Sequence, residues 1–121
     1  MRVPTRTLPL LLAAMTAAAC GGTPTAKAPA SFTITLDDYL IRPQRIKVPK
    51  GERLTVTVVN HGRLGHTFRI RSVNHTVLAL TTIPPGATKS RSFKLAAGNY
   101  TMFCALSNHE ELGMSGTLIV G

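Results

Sequence analysis

Residues 98–120 read GNYTMFCALSNHEELGMSGTLIV. Gly98-Asn99 is a turn signal, because glycine enters φ > 0 without cost and asparagine tolerates it. The five residues Tyr100–Cys104 that follow have strand character, and Gly116–Val120 is a second short apolar run. Between them lies a polar loop that contains His109 and Met114. Two neighbouring strands joined by such a loop bring its ends together, so Cys104 at the end of one strand and Met114 just before the next are placed side by side.

The same reading extends towards the N-terminus. Phe32, Ile34 and Leu36 alternate with Thr33 and Thr35, the period-two pattern of a half-buried strand. Gln44–Val48 repeats it with Ile46 and Val48, and Pro49-Lys50-Gly51 turns the chain. Leu54, Val56 and Val58 lead to Asn60. His66, Phe68 and Ile70 form the next alternation, Val77–Leu80 a short strand, and Thr81–Thr88, with Pro84-Pro85-Gly86, a loop. Ser90–Leu95 is one more strand. No helical period longer than two turns and no internal repeat interrupts this series, which predicts an all-β sandwich or barrel over residues 31–121.

The remaining residues have a different character. Residues 1–19 carry Arg2 and Arg6 before an apolar Leu/Ala/Met stretch, and Ala17, Ala18 and Ala19 precede Cys20; this is an export signal. It resembles a bacterial lipoprotein signal, with Cys20 acylated as the mature N-terminus and Ala17 where a leucine is more usual. An ordinary secretory signal or an uncleaved anchor is the alternative. Residues 20–30 then read as a lipidated cysteine followed by a small, Pro-containing tether.

With 121 residues the chain holds one domain, and 44% hydrophobic content with 16% charged content excludes a disordered polyelectrolyte. Fourteen Lys and Arg against five Asp and Glu give a formal charge of +9, which falls to +7 once residues 1–19 are removed. Export makes nucleic acid a poor client. An acidic redox partner or an anionic lipid surface explains the charge, and a basic solvated face with no special partner is the plain alternative. Two cysteines are too few for a disulfide framework or a four-thiolate zinc site.

The chemistry gathers around that loop. Cys104, His109 and Met114 follow one another with four residues between each pair. His66 brings a second imidazole at the start of an earlier strand. A thiolate and a thioether favour Cu(I), and imidazole suits both copper oxidation states; two His and a Cys with a weak axial Met make a blue-copper set. Zinc is the other metal to weigh, although its structural sites close with Cys and His and do without thioether. With Cys20 committed to the anchor, Cys104 has no disulfide partner in an oxidising compartment. Metal ligation protects it there, and so does simple burial.

Asn60-His61-Gly62, His66-Thr67-Phe68, Tyr100–Cys104, His109, Met114 and Gly116-Thr117-Leu118, with Pro43, Val48 and Gly51, together resemble the cupredoxin (blue copper) family. The resemblance implies a Greek-key β-sandwich with one copper ion near one end. It implies His66, Cys104 and His109 as strong ligands and Met114 as the axial one. It also implies one-electron transfer between partner proteins, with no enzymatic bond-making. The export signal with its acylated Cys20 places the chain at the extracytoplasmic face of the membrane, where a monomer is expected. A copper carrier or assembly factor uses the same ligands, and a purely structural module is the third reading. Two departures bear on the reduction potential. Thr67 stands where many relatives carry Asn, and Ser107-Asn108 precede His109 where many carry Pro-Gly, which frees a backbone N–H near the sulfur.

Other polar residues have plainer readings. His61 and His75 are expected at the surface, Asp37 and Asp38 in turn chemistry, and Glu110 and Glu111 in solvent. Leu64, Ile83, Pro84, Leu106 and Leu112 are expected to form an apolar docking patch around His109.

Overall fold

The computed structural model describes residues 30–121; the segments expected as export signal and tether, with Cys20, lie outside the described residues. Nine strands occur among them: β1 (Ala30–Asp37), β2 (Leu40–Arg42), β3 (Arg45–Val48), β4 (Leu54–Asn60), β5 (His66–Arg71), β6 (Thr76–Ile83), β7 (Thr88–Phe93), β8 (Gly98–Phe103) and β9 (Ser115–Val120). They make two sheets, ordered β2-β1-β4-β7 and β3-β9-β8-β5-β6. Both sheets are mixed. β1 runs parallel to β4 and β3 parallel to β9, while the other pairs are antiparallel.

The alternation read from the sequence is the alternation of burial. Phe32, Ile34 and Leu36 of β1 and Leu54, Val56 and Val58 of β4 face inward, against Phe68, Ile70, Met102 and Leu118 of the second sheet. Each fully buried Leu, Ile or Phe adds roughly 1.5–3 kcal/mol of transfer free energy, offset by the entropy of ordering the chain. Outward positions on β4 and β7 carry hydroxyls that pair across the ladder, Thr55 with Ser92 and Thr57 with Ser90, at 2.9 and 3.0 Å.

Three expectations are corrected. Gly98 and Asn99, expected as a turn, already pair with Val120 and Ile119 at the start of β8. β2 was not anticipated, because three residues are too few to show a period, yet Leu40–Arg42 pairs with Thr35–Asp37. The segment expected as a loop from Thr81 is strand as far as Ile83. The β6–β5 ladder continues to the His66–Ile83 pair across an irregularity in register, so the loop begins only at Pro84.

Topology gathers one end of the sandwich. The end of β1, the end of β4, the start of β5, the end of β8 and the start of β9 meet there, and the loops between them carry the sulfur and imidazole groups.

Candidate metal centre

His66 opens β5, and Cys104 is the first residue past β8. His109 lies in the β8–β9 loop, with Met114 immediately before β9. The facing atoms are Nδ1 of His66, Sγ of Cys104 and Nδ1 of His109, all within 4.8 Å of one another. The two Nδ1 atoms are 3.2 Å apart; Sγ is 3.6 Å from that of His109 and 4.0 Å from that of His66. His66 and Met114 are fully buried, Cys104 is buried as a free thiol, and His109 is half-buried.

The loop is closed by its own backbone. Phe103 pairs with Ser115 at its base, and Cys104 N–H donates to the Met114 carbonyl at 3.2 Å. Inside it, His109 N–H donates to Leu106 O, Leu112 N–H to Asn108 O, Gly113 N–H to Glu110 O and Met114 N–H to His109 O, at 3.0–3.1 Å. These bonds wind residues 106–114 into successive turns. Four spacer residues on each side of His109 thus leave Cys104, His109 and Met114 tied to one another.

A second layer fixes the donors. His66 Nε2 lies 2.9 Å from Asp38 Oδ1, and the Asp38 carboxylate also accepts from the backbone N–H groups of Arg63 and Leu64. Those amide bonds, Arg63 first, together with His66 hold the Asp38 carboxyl below the usual carboxylate range. Asp38 is thus more than the turn residue expected from sequence. With its Nε2–H given to Asp38, His66 turns an Nδ1 lone pair towards the other donors.

Thr67 serves the sulfur. Its N–H is 3.4 Å and its Oγ1 3.6 Å from Cys104 Sγ, and Oγ1 accepts from Ala105 N–H at 2.8 Å. Threonine therefore ties the two ligand segments together. Asn60, fully buried, shapes the approach to His66: its Nδ2 donates to Leu64 O and Ile83 O, and its Oδ1 accepts from Gly62 N–H, each at 2.8 Å.

The donors fit a soft cation. Two imidazole nitrogens and a sulfur converge on one point, and these donor types together suit copper. The set of His66, Cys104 and His109 with buried Met114 is that of a type 1 copper site.

The surroundings differ from expectation in three places. Ile83 is fully buried in the core and does not join the surface; Pro84, Leu64 and Leu112 are exposed, while Leu106 is only half-buried. Glu110 is not left to solvent: its two carboxylate oxygens accept from Nη1 and Nη2 of Arg71, at 2.8 and 2.7 Å, which holds its carboxyl below the ordinary range. Tyr39, passed over in the sequence, sets its ring edge-on to His109 with centroids 5.1 Å apart. Neither Asp38 nor Tyr39 lies in a motif that would single it out. His61 and His75 are exposed, and Asp37 pairs with Arg42 at 3.1 Å.

The family model of the cupredoxin-like domain matches residues 9–120. The chain belongs to the cupredoxin-like domain family. A sequence search of curated proteins finds no match. Among solved structures, this cupredoxin-like domain is similar to reduced auracyanin from the photosynthetic bacterium Roseiflexus castenholzii, at TM-score 0.70 and 19% identity, over 78% of this chain and 98% of that one. It is similar to auracyanin A, a blue copper protein of Chloroflexus aurantiacus, at TM-score 0.68 and 16% identity, over 78% and 100%. It is also similar to rusticyanin from Thiobacillus ferrooxidans, at 0.61 and 18%, over 78% and 79%. At these identities the likeness is one of fold. The ligand assignment rests on the residues of this chain.

Proposed function

We propose that this cupredoxin-like domain carries single electrons between redox partners at the extracytoplasmic face of a membrane, tethered there through an acylated Cys20. Copper, when bound, supplies a one-electron couple; the remaining work belongs to the protein. His66, Cys104 and His109 would hold the ion, with the Met114 thioether as a further, weaker donor. The observation that carries this reading is the convergence of three ligand atoms within 4.8 Å, fixed by Asp38 and Thr67 from outside. Ligands locked by a surrounding hydrogen-bond layer change little between oxidation states, which suits electron transfer.

His109 is the half-buried member of the trio, and Tyr39, Leu64 and Leu112 are the large apolar side chains exposed on the loops around it, at 39%, 43% and 53%. Electrons leave through this rim to a docked partner, and the basic surface favours an acidic one. No substrate bond is made or broken, so the domain acts as a carrier and not as an enzyme. Copper delivery to an oxidase is the second reading; burial of His66 and Cys104 favours retention of the ion over release.

The test is Cu(II) titration of the purified protein, followed by voltammetry. An intense visible thiolate-to-copper band and reversible one-electron cycling, both abolished in Cys104→Ser, are expected. A colourless complex overturns the copper reading, and rapid copper loss to an apo-acceptor favours delivery. For the tether, Cys20→Ser is expected to move the protein from the membrane to the soluble fraction.

A further inference from the structure

We infer that the turn Asp38-Tyr39, which joins β1 to β2, is the positioning element for both imidazoles of the metal centre, Asp38 fixing His66 and Tyr39 fixing His109. The inference rests on the copper reading above and names residues that the ligand set does not include.

The two contacts come from consecutive residues. Asp38 Oδ1 stands 2.9 Å from His66 Nε2, and the Tyr39 ring meets the His109 ring edge-on, at 85° and 5.1 Å between centroids. In extended backbone two successive side chains point to opposite faces. Here Tyr39 adopts φ 63, a left-handed conformation that a bulky residue adopts only when its surroundings hold it there. That kink lets neighbouring side chains grip two rings whose Nδ1 atoms lie 3.2 Å apart.

Both ligand loops are shaped to receive the turn. A Cβ on Gly62 would collide with the Asp38 carboxylate, and a Cβ on Gly113 would come within 3.3 Å of the Tyr39 carbonyl oxygen. Gly62 belongs to the loop before His66, and Gly113 to the loop after His109. A single turn from the four-stranded sheet is therefore wedged against the β4–β5 loop that leads into His66 and the β8–β9 loop that carries His109. The Arg63 and Leu64 amides anchor the carboxylate itself.

Two consequences follow. The carboxylate selects the His66 tautomer that presents Nδ1 to the metal. Its negative charge, held against His66, would favour the oxidised form of a bound copper ion, which carries the higher charge.

The experiment uses the full chain. In the metal-free protein, imidazole ¹⁵N spectra are expected to show His66 protonated at Nε2 in the wild type and as a tautomer mixture in Asp38→Ala. In the copper-loaded protein, Asp38→Asn, which keeps an oxygen acceptor and removes the charge, is expected to shift the reduction equilibrium towards Cu(I) about tenfold, or about 59 mV for one electron. Tyr39→Gly relieves the backbone and removes the ring. It is expected to leave the metal-free chain folded while altering the visible band and the copper hyperfine splitting, and Tyr39→Phe restores both. A wild type without a blue band defeats the copper reading. A blue wild type whose spectrum and potential are matched by Asp38→Asn and Tyr39→Gly, with an unchanged His66 tautomer in Asp38→Ala, defeats this inference alone.

Discussion

Thr67 touches Cys104 twice: its backbone N–H and its hydroxyl lie 3.4 and 3.6 Å from Sγ, and the same hydroxyl accepts from Ala105 N–H at 2.8 Å. One short side chain thus links the start of β5 to the segment that follows the thiolate. Donors on the sulfur withdraw electron density from it, which raises the potential of a metal it binds.

Thr67→Val keeps the shape and removes the hydroxyl. It leaves Ala105 N–H without its acceptor, at a cost of about 1–3 kcal/mol if water does not replace it. The expected outcome is a lower unfolding midpoint together with a lower reduction potential, because the sulfur loses a donor. Chemical denaturation and voltammetry on the same preparation check both. An unchanged potential would show that the hydroxyl serves Ala105 alone.

Arg71 and Glu110 give a pH-dependent prediction. Arg71 spans from β5 to the His109 loop, with its guanidinium carbon 4.3 Å from the Phe103 ring centroid. The ion pair is partly exposed, 39% and 33% for the two side chains, so solvent screening limits it to about 0.5–1 kcal/mol even with two-pronged geometry. Arg71 lowers the folded-state pKa of Glu110. The pair's contribution is therefore complete above the unfolded carboxylate value of about 4.3 and is lost as pH falls through the lower folded value. In the metal-free chain, Glu110→Gln is expected to be less stable than wild type at pH near 7, and the gap is expected to close in acid. Urea denaturation at both pH values measures it.

The rim around His109 can be tested without disturbing the metal centre. Leu112 is 53% exposed in the ligand loop, on the rim proposed above for docking. Leu112→Asp is expected to slow electron exchange with the native partner by about tenfold, the equivalent of about 1.4 kcal/mol of lost docking energy, with band position and potential unchanged. Stopped-flow mixing with the partner separates the two. Equal rates for wild type and variant would remove Leu112 from the docking surface.

Much of this was legible in the sequence because it is local. Phe32, Ile34 and Leu36, or Leu54, Val56 and Val58, announce a buried face by period alone, and the structure buries all six. Cys104, His109 and Met114 are recognisable because the loop between two paired strands forces near residues together. What escaped notice depends on distant partners. Asp38 meets His66 across 28 positions, and Arg71 meets Glu110 across 39. Nothing in Asp37-Asp38-Tyr39 distinguishes a turn that ends in solvent from one wedged against two ligand loops. β2 was missed for a related reason: its three residues owe their strand conformation to the neighbouring β1 and not to a pattern of their own.

Metal binding itself predicts a large change in stability. Three donors are already assembled within 4.8 Å of one another, with Cys104 and His66 buried, so the folded chain binds the ion far better than the unfolded one. Free ligand at about 100 times its dissociation constant stabilises a fold by about 2.7 kcal/mol. For a domain of this size each kcal/mol raises Tm by about 4–8 °C. Copper is therefore expected to raise Tm by at least 10 °C or so, and a chelator strong enough to strip it to reverse the gain. Cys104→Ser is expected to forfeit most of the effect and His61→Ala, at an exposed position outside the donor set, none of it. Differential scanning calorimetry with and without copper reads the difference. Equal gains for Cys104→Ser and wild type would place the ion somewhere other than between these side chains.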